Sequence, residues 1–435
     1  MQEVFNYFLL SLGFGGLSLL TPCVFPLIPI TISFFLKSKE GSSPIRDSIL
    51  FTVGIILTFT FLGLLTSIFF GAGKLNQLAS SPYLNLAIGI LFLLFTFNLW
   101  GLYEIQLPSS ILFFLSKDRD KTSVLGIFFV SLTFTLTTFT CTMPFLGTVL
   151  VSAAKGEWFF PLVGMFGYSL SFSIPFFFLA LFPTAIQKLP KSGNWMVSFK
   201  IVLGFLELAA ALKFFSNIDL VWNLGILTRS TTLLILAAIF TGLGLYLFGL
   251  YSFQHEVKKE EGKHPFRVLL SIAAFVFSYL FFYSADGKPL GELDAFLPPN
   301  EYPSSKTVNK EIVWIDNMEQ ARLESIKLKK PIFIDFTGYT CTNCRWMEQN
   351  IFPLPEVKEL FQKFVLVKIY TDGDGEVYDK NQKYQEDKFK TIALPLYAGL
   401  SSNDSILGSL EGMTRDKSDF VNFLQKLLEK SKDEP

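Results

Sequence analysis

The sequence predicts two structural classes in one chain, a polytopic α-helical membrane domain of about eight spans built as an inverted repeat, and behind it a smaller α/β domain. Half of the 435 residues are hydrophobic, 17% are charged and mean hydropathy is +0.43, which excludes a wholly water-solvated globular chain. The charge is also segregated. Residues 1–284 carry 17 Lys+Arg and 12 Asp+Glu, while residues 285–435 carry 20 and 25, so a net charge of zero hides parts of +5 and −5. Four cysteines and two histidines exclude a disulfide-rich scaffold and a large metal cage. The acidic second part, with no basic stripe, excludes nucleic acid as a partner.

About 20 apolar residues cross a hydrocarbon core. Eight such stretches run roughly over 5–36, 49–72, 82–103, 123–153, 158–186, 196–216, 230–251 and 266–284. The first has no basic leading region and continues apolar past any cleavage site, so it reads as a retained span. The domains read as 1–284 in the membrane, a linker over 285–310 and a soluble domain over 311–435.

Lys/Arg bias sets orientation. Loops 1–2, 3–4, 5–6 and 7–8 hold twelve basic residues, among them Lys37, Arg46, Lys117 and Arg267, while the other three loops hold Lys74, Lys155 and Arg229. This predicts the first set in the cytoplasm and both termini outside, with the soluble domain in the oxidising periplasm.

Two spans share a pattern. Span one reads Pro22-Cys23-Val24-Phe25-Pro26 and span four reads Cys141-Thr142-Met143-Pro144, each a single cysteine with proline three residues on. The two spans run in opposite directions, which is the trace of an inverted repeat. Proline frees backbone carbonyls that lipid cannot satisfy, so such breaks sit against protein or a watery cavity. Membrane cysteines are commonly mere packing residues. Two matched cysteines, alone in 284 residues, read instead as a pair at facing helix breaks that opens and closes as a disulfide.

Glu207 in span six marks a functional site, with thiol-proton acceptance as one role, unless it reaches an interface or a partner on a neighbouring helix. Trp158, Trp195 and Trp222 read as interfacial residues. His255 and His264 fall in the charged 7–8 loop and read as solvated.

Residues 285–310 hold Pro289, Pro298, Pro299 and Pro303 among polar residues and read as an extended linker, able to reach roughly 80 Å at about 3.3 Å per residue. Beyond it come a short strand at 311–315, a helix over 317–329 capped by Asn317, and a buried strand in Pro331–Thr337. After a turn at Gly338, Cys341-Thr342-Asn343-Cys344 opens a helix. A second strand follows at 364–370, another extended segment at 391–397, and a last amphipathic helix from about 417 to 431. A cysteine at a helix start has its thiolate stabilised by the unpaired N–H groups, which makes Cys341 the exposed nucleophile and Cys344 the resolving thiol. Asp335 reads either as a buried carboxylate that accepts the Cys344 proton or as a strand-end acid facing water. A static bridge closing so short a loop is a poor staple, so the pair reads as redox-active.

Residues 331–400 resemble the thioredoxin family, and Asp335-Phe336-Thr337 with Cys341-Thr342-Asn343-Cys344-Arg345-Trp346-Met347-Glu348 is similar to the C-terminal domain of DsbD-type thiol:disulfide interchange proteins. Pro-Cys-Val-Phe-Pro of span one and Cys-Thr-Met-Pro-Phe of span four resemble that family's membrane domain, which is shared with the shorter CcdA cytochrome c biogenesis proteins. The resemblance implies a cis bond before Pro395, beside Cys341, where backbone can pair with a substrate strand. It also implies that cytosolic thioredoxin reduces Cys23–Cys141, that this dithiol reduces Cys341–Cys344, and that disulfide-containing proteins in the periplasm are the final acceptors. No organic cofactor or metal is expected beyond the two cysteine pairs. The fullest members begin with an immunoglobulin-like domain bearing its own cysteine pair, and here span one starts at once.

The expected function is therefore that of a protein-disulfide reductase of the bacterial inner membrane. Two rivals share the fold: an inverted-repeat solute transporter with a tethered thioredoxin domain, and a disulfide-forming oxidase that runs in the opposite direction.

Overall fold

The computed structural model describes residues 2–19, 24, 44–103, 126–136, 138, 159–181, 194–253, 265–299 and 313–433. Eight apolar helices come first: α1 Gln2–Ser18, α2 Pro44–Ser80, α3 Pro82–Leu99, α4 Gly126–Leu136, α5 Phe159–Leu181, α6 Asn194–Trp222, α7 Arg229–Phe248 and α8 Pro265–Ser284. One lies in each apolar stretch of the sequence. Among the described residues five are long and apolar enough to cross a bilayer, in α2, α3, α6, α7 and α8, while the apolar parts of α1, α4 and α5 are shorter.

The chain divides into two compact units, and the division does not follow the end of the last apolar helix. One unit holds Met1–Ala72, Ile90–Ala210 and Leu245–Ser271, the other Gly73–Gly89, Ala211–Gly244 and Ile272–Pro435. Helix ends thus group with the soluble tail.

In the first unit small residues set the helix contacts. A Cβ on Gly15 would run into the Tyr168 carbonyl, joining α1 to α5, and one on Gly54 would run into the Ser131 hydroxyl, joining α2 to α4. Glycine at these crossings lets backbones approach where no hydrophobic effect drives helices together. Phe59 packs edge-on to Phe172 across α2 and α5, and Thr96 of α3 donates to the Gly204 carbonyl of α6. Hydroxyls in the spans bond back to their own helix, as Thr58 does to Gly54 and Thr138 to Phe134.

In the second unit Asn217 of α6 donates to Asn85 of α3 at 3.0 Å, and Thr241 of α7 meets Ser278 of α8 at 2.7 Å. Residues 285–299 correct the expectation of an extended linker. A 3-10 turn over Gly291–Phe296 brings Asp294, fully buried, into an ion pair with Arg229, and Leu297 packs on Leu233, Ala237 and Phe281. The prolines that suggested extension flank a segment held by one buried charge pair, whose partner lies more than sixty residues away in sequence.

The tail is a five-stranded sheet in the order β1-β3-β2-β4-β5, from Trp314–Ile315, Ile332–Thr337, Val365–Tyr370, Leu396–Leu400 and Ile406–Glu411. β1, β3 and β2 are parallel, and β4 and β5 antiparallel. Helices α9 Met318–Leu328, α10 Thr342–Asn350, α11 Pro355–Phe361, α12 Glu376–Phe389 and α13 Lys417–Asp433 complete it. Asn317 caps α9 through two backbone N–H groups. Strand β2 is buried on both faces, with Phe333 among Phe361, Tyr397 and Phe420, and Ile334 and Phe336 among Val367, Ile369 and Leu396. A central strand of this kind gives the continuous apolar run seen in sequence.

Replacing Asp294 by Ala leaves the buried Arg229 guanidinium unpaired. A loss of about 3–5 kcal/mol is expected, read as a lower unfolding midpoint of the detergent-solubilised chain, with Asp294→Ala plus Arg229→Met recovering most of it.

Candidate active site

Four residues separate the end of β2 from the start of α10, and the last of them is Cys341. It is the helix N-cap, its Sγ accepting from the Cys344 amide at 3.1 Å where an Asp or Ser oxygen commonly stands. Cys341 is half-buried and Cys344 is buried, and the two are joined as a disulfide. The outer sulfur is thus the one a partner meets. Gly338 allows the turn, since a Cβ there would lie 2.6 Å from Asp372 Oδ2 and 3.1 Å from Leu394 Cδ1. The Leu394–Pro395 bond is cis, so the loop carrying Pro395 packs against the turn that leads to Cys341.

Asp335 is buried, not a strand-end acid in water. It pairs in register with Lys368 of β3 and Tyr397 of β4, and neither carboxyl oxygen has a hydrogen-bond partner. Burial pushes its carboxyl up to about 7 against the pull of Lys368, with the Glu348 charge adding to the rise. Below α10 runs a buried charge chain that motif reading did not single out. Glu348 binds Arg345 at 2.8 Å and Lys368 at 3.0 Å, and Arg345 also donates to Thr337 and to the Gly338 carbonyl. Burial would raise the Glu348 carboxyl, but the two cations outweigh it and hold it below its ordinary range.

Asp372 was also missed. Its carboxylate accepts from the Tyr339 amide at 2.8 Å and the Thr340 amide at 3.3 Å, and burial raises it to about 6 despite those bonds. In sequence it is one acid in a Thr-Asp-Gly turn, and what buries it lies thirty residues earlier. The same turn meets the helix ends. Tyr339 is buried with Leu220 of α6, beside Val221, Tyr370 and Tyr378. Its ring stacks on Tyr370 at 4.2 Å and its hydroxyl bonds that of Tyr378 at 2.9 Å. From the end of α2, Ser80 donates to the Asp372 carbonyl and Gln77 to Asp379 at 2.8 Å.

Cys23 and Cys141 lie outside the described residues, as do Trp158, His255 and His264. Val24 is buried among Phe51, Ile55, Phe134 and Phe172. Trp222 ends α6 half exposed, edge-on to Tyr83. Glu207 is fully buried in α6.

Apolar helices of spanning length, followed by a sheet whose central strand delivers a Cys-x-x-Cys pair to a helix N-terminus, define an integral membrane protein with a thioredoxin-like domain. Residues 4–218 match the family model described as cytochrome C biogenesis protein transmembrane domain, and residues 313–401 match one described as thioredoxin-like. The chain thus carries a membrane domain similar to that of cytochrome C biogenesis proteins followed by a thioredoxin-like domain. It is 27% identical over 377 residues to the thiol:disulfide interchange protein DsbD of Vibrio vulnificus, covering 82% of this chain and 58% of that one. The relative of the same name from Haemophilus influenzae is 25% identical over 98% of this chain and 69% of its own, and that from Pasteurella multocida 26% over 98% and 68%. The chain thus spans under two thirds of the length of the Vibrio relative.

The raised Asp335 and Asp372 carboxyls have a stability consequence. The folded chain holds these protons more tightly than the unfolded chain, so stability falls as pH rises from about 4 through about 6 to about 7 and is level above. Asp335→Asn should remove its share of the slope, at most about 1.4 kcal/mol per pH unit, and leave the variant more stable than the parent at alkaline pH. Denaturant titrations of the two proteins across that range, with the disulfide intact, check it.

Proposed function

We propose that the chain carries reducing equivalents from cytosolic thioredoxin across the inner membrane to periplasmic disulfides, as a thiol:disulfide oxidoreductase. In each step a thiolate attacks a disulfide sulfur, a mixed disulfide forms, and the second thiol of the donor pair resolves it, so two electrons move per exchange. Thioredoxin reduces Cys23–Cys141, that dithiol reduces Cys341–Cys344, and Cys341 attacks the substrate disulfide. Asp335 takes the proton of Cys344 as that thiol becomes the resolving nucleophile, and the backbone at Pro395 pairs with the substrate strand. The cysteine pairs carry the electrons themselves, so the scheme calls for no organic cofactor or metal.

The observation that carries this reading is the seating of Tyr339, two residues before Cys341, on Leu220 at the end of α6. Exchange needs sulfur to meet sulfur, and a tail that served only its own substrates has no use for a buried contact between its active-site turn and a membrane helix. Sidedness has independent support. The helix ends grouped with the tail, at Ser80, Leu220 and Arg229, border the loops poor in Lys and Arg, which favours a periplasmic tail.

In growing cells, acid-trapped alkylation should find Cys341 and Cys344 as a dithiol in the parent and as a disulfide in Cys23→Ser. Leu220→Asp should also leave them oxidised while Cys23 and Cys141 stay reduced, because losing a buried leucine contact of about 1.5–3 kcal/mol lowers the docked population at least about tenfold. Equal redox states of the tail pair in parent and Cys23→Ser would sink the reading.

A further inference from the structure

Glu207 stands well inside α6. Within the apolar span Val197–Trp222 it is ten residues from one end and fifteen from the other, about 15 Å and 22 Å at 1.5 Å per residue. A glutamate side chain does not cover that distance to water. It is fully buried, and among the described residues neither carboxyl oxygen has a hydrogen-bond partner. A buried acid inside a span has two ordinary explanations, reach to an interface or a partner on the next helix. Among the described residues neither applies.

The surroundings are largely aromatic, with Trp100 packed on Phe97, Phe205 and Phe253. One turn before Glu207, the indole of Trp100 covers Gly204, where a Cβ would lie 2.6 Å from Trp100 Nε1, and that N–H is likewise buried without an acceptor. Beyond α3 the Tyr103 hydroxyl turns back to donate to the Leu94 carbonyl. On α6 itself the nearest charged residues in sequence are Lys200 and Lys213. The Trp100 N–H over Gly204 and the Glu207 carboxyl one turn on are both buried and, among the described residues, neither has a hydrogen-bond partner, so what such an acid exchanges is a proton.

We propose that Glu207 is the proton-holding group of the membrane domain, a role that rests on the electron path proposed above. When the membrane dithiol passes its electrons on, each thiol must lose a proton, and when the pair is reduced again each sulfur must gain one. Lipid offers no water for either. The Glu207 carboxylate takes the proton as a thiol becomes the attacking thiolate; the attacked S–S bond breaks, and the proton returns to a leaving thiolate. The carboxyl ends the cycle as it began, with electrons and protons both balanced.

The test uses the full chain in lipid nanodiscs with reduced thioredoxin as donor. Reduction of Cys341–Cys344 is followed by acid quench and alkylation from about pH 6 to about pH 9, and the rate in Cys23→Ser is subtracted as direct reduction. Glu207→Gln should lower the Cys23-dependent rate about a hundredfold and flatten its pH profile, and Glu207→Asp should recover rate and profile in part. Parent-like rate and profile in Glu207→Gln would overturn the proposal. So would slowing with an unchanged profile in both variants, which is the mark of a packing role. A parent no faster than Cys23→Ser would instead overturn the electron path itself.

Discussion

Polar groups denied water must find a partner or do something, and that constraint organises both units. In the spans the hydroxyls of Ser11, Thr58, Ser131 and Thr138 turn back to carbonyls of their own helix, which keeps the helix–helix surface apolar. Asn85 and Asn217 join across two helices, and Arg229 and Asp294 neutralise each other. The tail follows the same rule beneath α10, where Glu348 is held between two cations. Against this background two acids stand out, Glu207 and Asp335, both buried and both without a hydrogen bond. One lies in the first unit and the other beneath the Cys-x-x-Cys helix of the second, so among the described residues each unit keeps one buried carboxyl without a hydrogen bond.

The strand order explains why the tail's site is where it is. β2 is central, with β3 parallel on one side and β4 antiparallel on the other, so its end delivers Gly338 and Cys341 between the turn after β3 and the cis loop before β4. Asp372 comes from the first of these and Pro395 from the second. A helix that starts at that point presents its free N–H groups to the sulfur of its own cap. The turn is fixed from below by Arg345, which holds the Thr337 hydroxyl and the Gly338 carbonyl, and from the side by the Asp372 carboxylate on two amides. The disulfide therefore sits on a turn tied from two directions.

Much of this was legible in sequence because it rests on local rules. Asn317 caps a helix by the chemistry of its own side chain, β2 reads as buried because both faces are apolar, and the cysteine spacing fixes a helix start. Each apolar stretch holds a helix for the same reason. What sequence left dark depends on distant partners. Whether Asp335 faced water or core turned on Lys368 and Tyr397 in the neighbouring strands. Asp372 acquired meaning only from amides thirty residues before it, and 285–299 folded because Asp294 met Arg229. Helix α11, seven residues long, went unread although Pro355 stands in its first turn, and the 14-residue α12 follows Gly375 with no side-chain cap, so tertiary packing rather than a local signal sets where it and strand β5 lie.

The folded segment 285–299 changes how the tail is tethered. Only residues 300–312 then join it to the last helix, and thirteen residues span at most about 45 Å. A shorter tether raises the effective concentration of the active-site turn at the ends of α2 and α6. The contact it serves is wider than the tyrosine turn, Leu220, Val221 and the two polar bonds from α2, because the 291–296 turn also packs on α10, with Ala295 against the core of the tail, Asn350 donating to the Gly291 carbonyl and Arg415 paired with Glu292.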